Sequence, residues 1–424
     1  MIGVGTTGPV APFQPAGPAP APVRDAYAPE RDAWTVLAGV DGLGPVAFAA
    51  LLSRFGSGRA IMAAAAEPDG VARLEATPAL SLNPDRSGRR PVPGSVAVAI
   101  AEAVQDGHRI LARLRELGVG VVTVEEAQYP PRLIAIAMPP HVLFYRGSLE
   151  AMAHERAVAV VGTRRATTTG RTTAGRIATA LVGSDAAVIS GLAYGIDGAA
   201  HEAALQAGGA TVAVIGGGHA VAVPSGHRRL ARAIVDGGGA IASELAPDVQ
   251  PTQGTFPRRN RIISGLADAT VVVEAPIRSG ALVTASWALE QGRECYLVPG
   301  ALDQPASAGC LSFLREFRGA CNLVAGVPQL IADLGFAAPP GRGLSSALAG
   351  AALADLGRAA SQVAMSLAQG LTTVDELVAV TDLPVGAVLA TLAVLEDRGL
   401  VAGAHGRYRP AGALLGEVVT AEPR

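Results

Sequence analysis

Any chemistry in this chain rests on arginine, because none of its 34 basic residues is a lysine. A phosphate loop ending in Lys, a Schiff-base enzyme and a Ser-x-x-Lys nucleophile are thereby excluded. Neither a Gly-x-Ser-x-Gly elbow nor a His-Glu-x-x-His zinc helix is present. The codon preference of a G+C-rich genome accounts for the bias; the positions of the arginines carry the information. Arg156, Arg164, Arg165, Arg171 and Arg176 fall in a stretch, Arg156 to Ser184, without Asp or Glu. Phe256-Pro257-Arg258-Arg259-Asn260-Arg261 then places three arginines in four residues. A solvated helix face explains either cluster taken alone. Both, however, accompany short Gly-rich turns. These are Gly162-Thr163-Arg164-Arg165, Ser190-Gly191-Leu192-Ala193-Tyr194-Gly195, Gly216-Gly217-Gly218, Pro224-Ser225-Gly226 and Arg278-Ser279-Gly280. Glycine lets the backbone approach an anion, and guanidinium grips phosphate bidentately. The combination reads as a local positive groove for a polyanion. With aromatics at 4% of the chain, Phe256 and Tyr194 are the two candidate stacking platforms.

The elements that must hold these turns follow from periodicity. Val158–Val161, Ala187–Ile189, Thr211–Ile215, Ala240–Ala242, Thr270–Val273 and Cys295–Val298 read as short buried strands. Helical stretches separate them, including Thr169–Val182 and Gly198–Ala207, the latter capped by Asp197. That alternation predicts an α/β fold, a Rossmann-like doubly wound parallel sheet, over residues 108–335. In such a sheet ligands sit outside the carboxyl ends of the strands, where all the turns named above fall. Residues 1–30, with seven prolines, read as a disordered tail, and their Gly3–Gly8 match to GxGxxG has no preceding strand. Residues 31–80 read as a small helical domain, with Gly39-Val40-Asp41-Gly42-Leu43-Gly44 between two helices as in a helix-hairpin-helix. Its amides could face a phosphate, or the glycines could be ordinary turns. A polar stretch, Ser81 to Pro93, leads into the main domain. Residues 336–354 read as a linker and 355–412 as three helices and a hairpin, the winged-helix plan. Only Arg398 lies near the end of the third helix, which favours protein contact or weak DNA contact there.

The net charge of −2 predicts no nucleic-acid partner, so any such site must be local. No apolar run reaches the roughly 18 residues of a membrane span. The N-terminus also lacks the layout of a signal peptide. Cys295, Cys310 and Cys321 have no CxxC spacing, which suits free thiols in a reducing cytoplasm and no metal site. Asp197 and His201 have the spacing of an acid–base pair, but read as a helix cap and a packed histidine. Glu274 resembles a ribose-binding acid, or an acid that orders Arg278 or an arginine of the second cluster. Cys310 and Cys321 read as small core residues rather than nucleophiles.

The longer motifs resemble the DNA-processing protein A (DprA/Smf) family. They are Val160-Val161-Gly162-Thr163-Arg164, the run Ser190 to His201, Phe256 to Leu266, Val273 to Ala285, Leu289 to Arg293 and Val298-Pro299-Gly300. Tyr129 to Leu133 and Pro139 to Gly147 also fit, so the resemblance covers about residues 108–330. It implies a dimeric cytoplasmic protein that binds single-stranded DNA and loads the RecA recombinase in natural transformation and recombination. It also implies a DNA pocket built on Arg164, Ser190, Gly191, Arg259, Asn260 and Arg261, with no catalytic residue, metal or cofactor. Thr163 stands where the family often has Ser, Tyr194 where a basic residue is frequent, and Leu311 where Asn or His is common. The competing expectation is an enzyme. Phosphoribohydrolases of related Rossmann-like fold pair a Gly-rich turn with a Glu and an Arg, here Glu274 and Arg278, but their Pro-Gly-Gly-x-Gly-Thr turn is absent. A dinucleotide-dependent oxidoreductase lacks a GxGxxG in context.

Overall fold

The computed structural model describes residues 28–80, 89–252, 254–336, 353, 356–368, 371–404 and 407–411. The Gly3–Gly8 match and nearly all of the proline-rich tail and of the 336–354 linker lie outside them. The described chain divides into two units, one ending at Gln329 and one beginning at Leu330.

The first unit is built on a nine-stranded sheet. Two short strands, β1 (Pro78–Leu80) and β2 (Arg89–Pro91), form a separate antiparallel pair. The main sheet comprises β3 (Gly120–Thr123), β4 (Val142–Gly147), β5 (Ala157–Val161), β6 (Ala187–Ser190), β7 (Thr211–Val214), β8 (Ala240–Ser243), β9 (Ala269–Val272), β10 (Glu294–Leu297) and β11 (Asn322–Leu323). Its spatial order is β11-β10-β9-β5-β6-β7-β8-β4-β3. From β8 through β11 the neighbours are parallel, as the alternation of strands and helices predicts. Strands β5 to β9 are buried along their whole length. That is why they read as continuous Val, Ile and Ala runs rather than as alternating ones.

Three features depart from the sequence reading. The sheet is mixed, because β4 and β3 add antiparallel strands beyond β8. The first helix spans Ala28–Ala38, so the helical segment includes residues before 31. The 24-residue helix Gly94–Leu117 runs through position 108. Its Val96, Ala97, Ile100 and Leu114 close one core with Trp34, Phe48 and Leu51 of the N-terminal helices and with Val142 and Phe144 of β4. The helical segment is therefore packed on the antiparallel edge of the sheet rather than strung before it.

The chain leaves β5 toward β6 on one side and leaves β9 toward β10 on the other. Since β5 and β9 are neighbours, their carboxyl ends form the point where the winding reverses, the usual ligand position of such sheets.

In the second unit, helices Gly357–Ala368, Val374–Thr381 and Val385–Asp397 precede a hairpin of β12 (Val401–Ala404) and β13 (Arg407–Pro410). Leu367, Leu377, Val388, Leu392 and Leu395 form its core. Thr373 and Glu376 make a reciprocal capping box that fixes the start of the second helix. No single helix among the described residues is long and apolar enough to cross a membrane.

Candidate nucleic-acid interface

The loops after β5, β6, β7 and β9 and the helix Thr255–Gly265 after β8 all gather at the carboxyl rim. At the reversal point, the Thr163 amide donates to the Glu274 carbonyl oxygen at 2.7 Å. Glu274 is buried, and its carboxylate accepts from the Thr167 amide at 2.9 Å and the Thr167 hydroxyl at 2.5 Å. Thr167 in turn caps the helix Thr168–Gly183 by accepting from the Gly170 amide at 2.9 Å. A carboxylate at a helix N-terminus is also favoured by the backbone dipoles. Glu274 therefore anchors the loop that presents Thr163, Arg164 and Arg165, and neither oxygen is committed to Arg278 or the second arginine cluster.

The loop after β6 is tied from below. Helix Ile196–Gln206 has Gly195, not Asp197, as its N-cap. Asp197 lies in the first turn, and its Oδ2 accepts from the amides of Gly191 at 3.1 Å and Ala193 at 3.4 Å. Burial raises the Asp197 carboxyl above its ordinary range, against the pull of Arg259 and the loop amides. Gly195 has φ of 83°, and a Cβ there would stand 2.3 Å from the Thr163 carbonyl oxygen. We expect Gly195→Ala to lower stability by about 1–3 kcal/mol and to displace the Thr163–Arg164 turn. Thermal unfolding followed by tryptophan fluorescence checks this, and a variant as stable as the parent would refute it.

The helix Thr255–Gly265 sends four successive side chains in four directions, as a 100° step per residue requires. Arg258 is exposed, and its Nη2 lies 3.7 Å from where a Cβ on Gly44 of the N-terminal hairpin would be. Arg259 is buried, donating to the carbonyl oxygens of Gly191 at 2.9 Å and of Val214. Burial lowers its pKa to about 10, so it remains a cation at neutral pH. Asn260 donates to the Gly280 carbonyl at 3.0 Å and accepts from Arg259 Nε at 3.2 Å. Arg261 is buried against Glu244 at 2.5 Å.

The ring of Phe256 joins the two clusters. The Arg164 guanidinium carbon lies 5.1 Å from its centroid and that of Arg259 lies 6.0 Å away. The two arginines thus converge on one ring, Arg164 from the loop after β5 and Arg259 from the helix that carries Phe256 itself. Arg164, Arg165, Arg258 and Arg278 are exposed, and none of them forms an ion pair among the described residues. Arg278 has φ of 63°, an uncommon conformation for any residue other than glycine. Ser279 beside it caps the helix Gly280–Glu290, leaving that N-terminus at the rim. Tyr194 is 46% exposed; its hydroxyl accepts from the Gly226 amide at 3.2 Å, and its ring meets His227 edge-on at 4.7 Å.

The sequence candidates thus fall into two layers. Thr163, Arg164, Tyr194, Gly195, Phe256, Arg258, Arg278, Ser279 and Gly280 reach the rim, with Gly162 at its base. Ser190, Gly191, Arg259, Asn260 and Arg261 are buried under it, and the Ser190 hydroxyl donates to the Val160 carbonyl at 2.7 Å. Two exposed cations escaped the sequence reading, Arg228 and Arg229, directly after His227. Two arginines opening a helix oppose its dipole, and that was the available signal.

Residues 120–334, just over half the chain, match the family model described as DNA recombination-mediator protein A. The chain is 42% identical over 255 residues to the DNA processing protein DprA of Mycobacterium tuberculosis, covering 60% of this chain and 64% of that one. It is 45% identical over 189 residues to protein Smf of Escherichia coli, covering 45% of this chain and 50% of that one. Those matches span less than two thirds of either relative. The fold is similar to the X-ray structure of DNA processing protein A from Streptococcus pneumoniae, with TM-score 0.57 and 29% identity over 71% of this chain and 97% of that one. The chain belongs to the DNA recombination-mediator protein A family.

Proposed function

We propose that the rim binds single-stranded DNA through its phosphates and that the protein is a DNA-processing mediator rather than an enzyme. The observation that carries this reading is the meeting of Arg164 and Arg259 on Phe256. It places one exposed, ion-pair-free guanidinium over an aromatic face beside open backbone turns. Phosphate contacts from Arg164, Arg165, Arg258 and Arg278, with Tyr194 and Phe256 as the stacking surfaces, suit a flexible strand with unstacked bases. Loading of the RecA recombinase, assembly as a homodimer and a role in natural transformation belong to this same reading, as part of the proposal. The C-terminal unit fits it as a winged helix for protein contact, since its third helix, Val385–Asp397, contains no basic residue.

Binding of this kind weakens steeply with salt and has little sequence preference. Arg164→Ala should weaken binding to unrelated single-stranded oligonucleotides alike and reduce the salt slope by about one unit. Ser190→Ala should leave affinity and slope unchanged, because its hydroxyl is spent inside the sheet, while costing about 1 kcal/mol of stability. Fluorescence anisotropy at several salt concentrations, with duplex as the comparison, reads both. An unchanged slope in Arg164→Ala sinks the assignment. The phosphoribohydrolase reading needs Glu274 as a working acid, and both its oxygens are engaged by Thr167. Release of free base from nucleoside monophosphates would favour that reading instead.

A further inference from the structure

All three cysteines of the chain come together at one end of the sheet, although 26 positions separate Cys295 from Cys321. Cys295 is on β10, Cys310 is on the helix Ala308–Glu316, and Cys321 immediately precedes β11. Cys295 and Cys310 are fully buried in the main core, and Cys321 packs against it while keeping partial exposure. The pairing of β10 with β11 is parallel, with Tyr296 opposite Asn322 and Leu297 opposite Leu323. One step back along both strands, the same register sets Cys295 opposite Cys321. Laterally paired residues of neighbouring strands face the same side, with backbones about 5 Å apart. A disulfide spans Cα separations of roughly 4.4–6.8 Å.

The two thiols are not equivalent. The neighbouring Cys295 side chain holds the Cys321 thiol below its ordinary range. The same proximity, with burial, pushes Cys295 up. Cys310 is pushed up to about 11 by burial. The more acidic thiol is therefore also the accessible one, the combination that makes a cysteine reactive.

We propose that Cys295 and Cys321 form an oxidisable dithiol, with Cys321 the peroxide-reactive thiol and Cys295 the resolving thiol. In the first step the Cys321 thiolate sulfur attacks hydrogen peroxide. The O–O bond breaks, an S–O bond forms, and the departing hydroxide takes a proton to leave as water. In the second step the Cys295 sulfur attacks the sulfenic sulfur of Cys321. The S–S bond forms, the S–O bond breaks, and the hydroxide leaves with the Cys295 proton as a second water. The balance is two thiols and one peroxide to one disulfide and two waters. The product staples the edge strand β11 to β10 and is reopened by a dithiol reductant.

The test uses the full chain, reduced, freed of reductant, exposed to a molar excess of hydrogen peroxide, alkylated with iodoacetamide and digested without reduction. The thiol titre should fall from three to one per chain, matching its three cysteines. A Cys295–Cys321 linked peptide should appear with Cys310 alkylated, and dithiothreitol should restore all three thiols. Cys321→Ser should lose the link and keep its two remaining thiols. Cys295→Ala should stop at a dimedone-trappable sulfenic acid on Cys321. Should Cys295→Ala fail to fold, the peptide map of the native chain and Cys321→Ser decides. An unchanged titre, a Cys295–Cys310 link, a link between chains, or direct passage of Cys321 to sulfinic acid with Cys295 free would each overturn the proposal.

Discussion

Arg261→Ala should lower the stability of the large unit by about 3–5 kcal/mol, the usual cost of stranding one member of a buried ion pair. Arg261 and Glu244 have side chains only 3% and 19% exposed and meet at 2.5 Å. The arginine also donates to the Arg258 carbonyl at 3.4 Å. Their fields act with opposite signs on Tyr129 and His141. Removing Arg261 leaves the Glu244 charge in that enclosed space without a counter-ion. Replacing both, as Arg261→Met with Glu244→Leu, should cost clearly less than Arg261→Ala alone, because no charge is then left unpaired. Urea unfolding followed by tryptophan fluorescence measures this directly, since Trp34 and Trp287, the only tryptophans, both lie in the large unit. A single-variant loss under about 1 kcal/mol would mean the pair behaves as a solvated surface bridge.

The same residue illustrates what the sequence could and could not convey. Buried runs such as Ala157–Val161 and Ala269–Val272 carry their strand signal internally, so the parallel sheet was legible from order and hydrophobicity. The rim was legible too, because glycine turns at strand ends have a local cause. What a linear reading lacks is azimuth. Arg258-Arg259-Asn260-Arg261 looks like one basic patch, yet the helix turns each side chain to a different neighbour. A charge count along the chain cannot separate Arg258, which is exposed, from Arg261, which meets a carboxylate 17 positions earlier. Ser190 poses the same problem, for a strand-end serine can point up to a ligand or across to the Val160 carbonyl. Strands β3 and β4 went unread because a short antiparallel edge, Gly120–Thr123 with Val142–Gly147, is closed by long-range pairing rather than by a periodic run. The cysteine cluster is the extreme case, since only the β10–β11 register brings Cys295 to Cys321.

Acidification should weaken the large unit by about 4 kcal/mol between pH 7.5 and pH 5, through two buried histidines held neutral. His201 is fully buried with its Nδ1 2.7 Å from the Thr211 hydroxyl, which itself donates to the Val188 carbonyl. The hydroxyl proton being committed, Nδ1 must be the donor, and Nε2 is left buried without a partner among the described residues. A second ring proton would bring a charge into that apolar site, so burial lowers the His201 pKa to about 3, with His227 and Arg259 adding repulsion. His219 donates from Nε2 to the Phe144 carbonyl at 3.0 Å, and burial lowers its pKa to about 4. In the unfolded chain both rings take a proton near pH 6.5. Below that pH the unfolded state binds more protons than the folded one, so stability falls as pH falls, by about 1.4 kcal/mol per unit for each ring. His141, also lowered by burial, acts in the same direction. Asp197 opposes them, because its raised carboxyl takes up a proton in the folded state first. His201→Gln, whose amide can still donate to Thr211, should remove close to one proton's worth of slope between pH 5 and pH 6. Urea midpoints across that interval measure the difference, and a slope identical to the parent's would mean that His201 already accepts its proton within the folded protein.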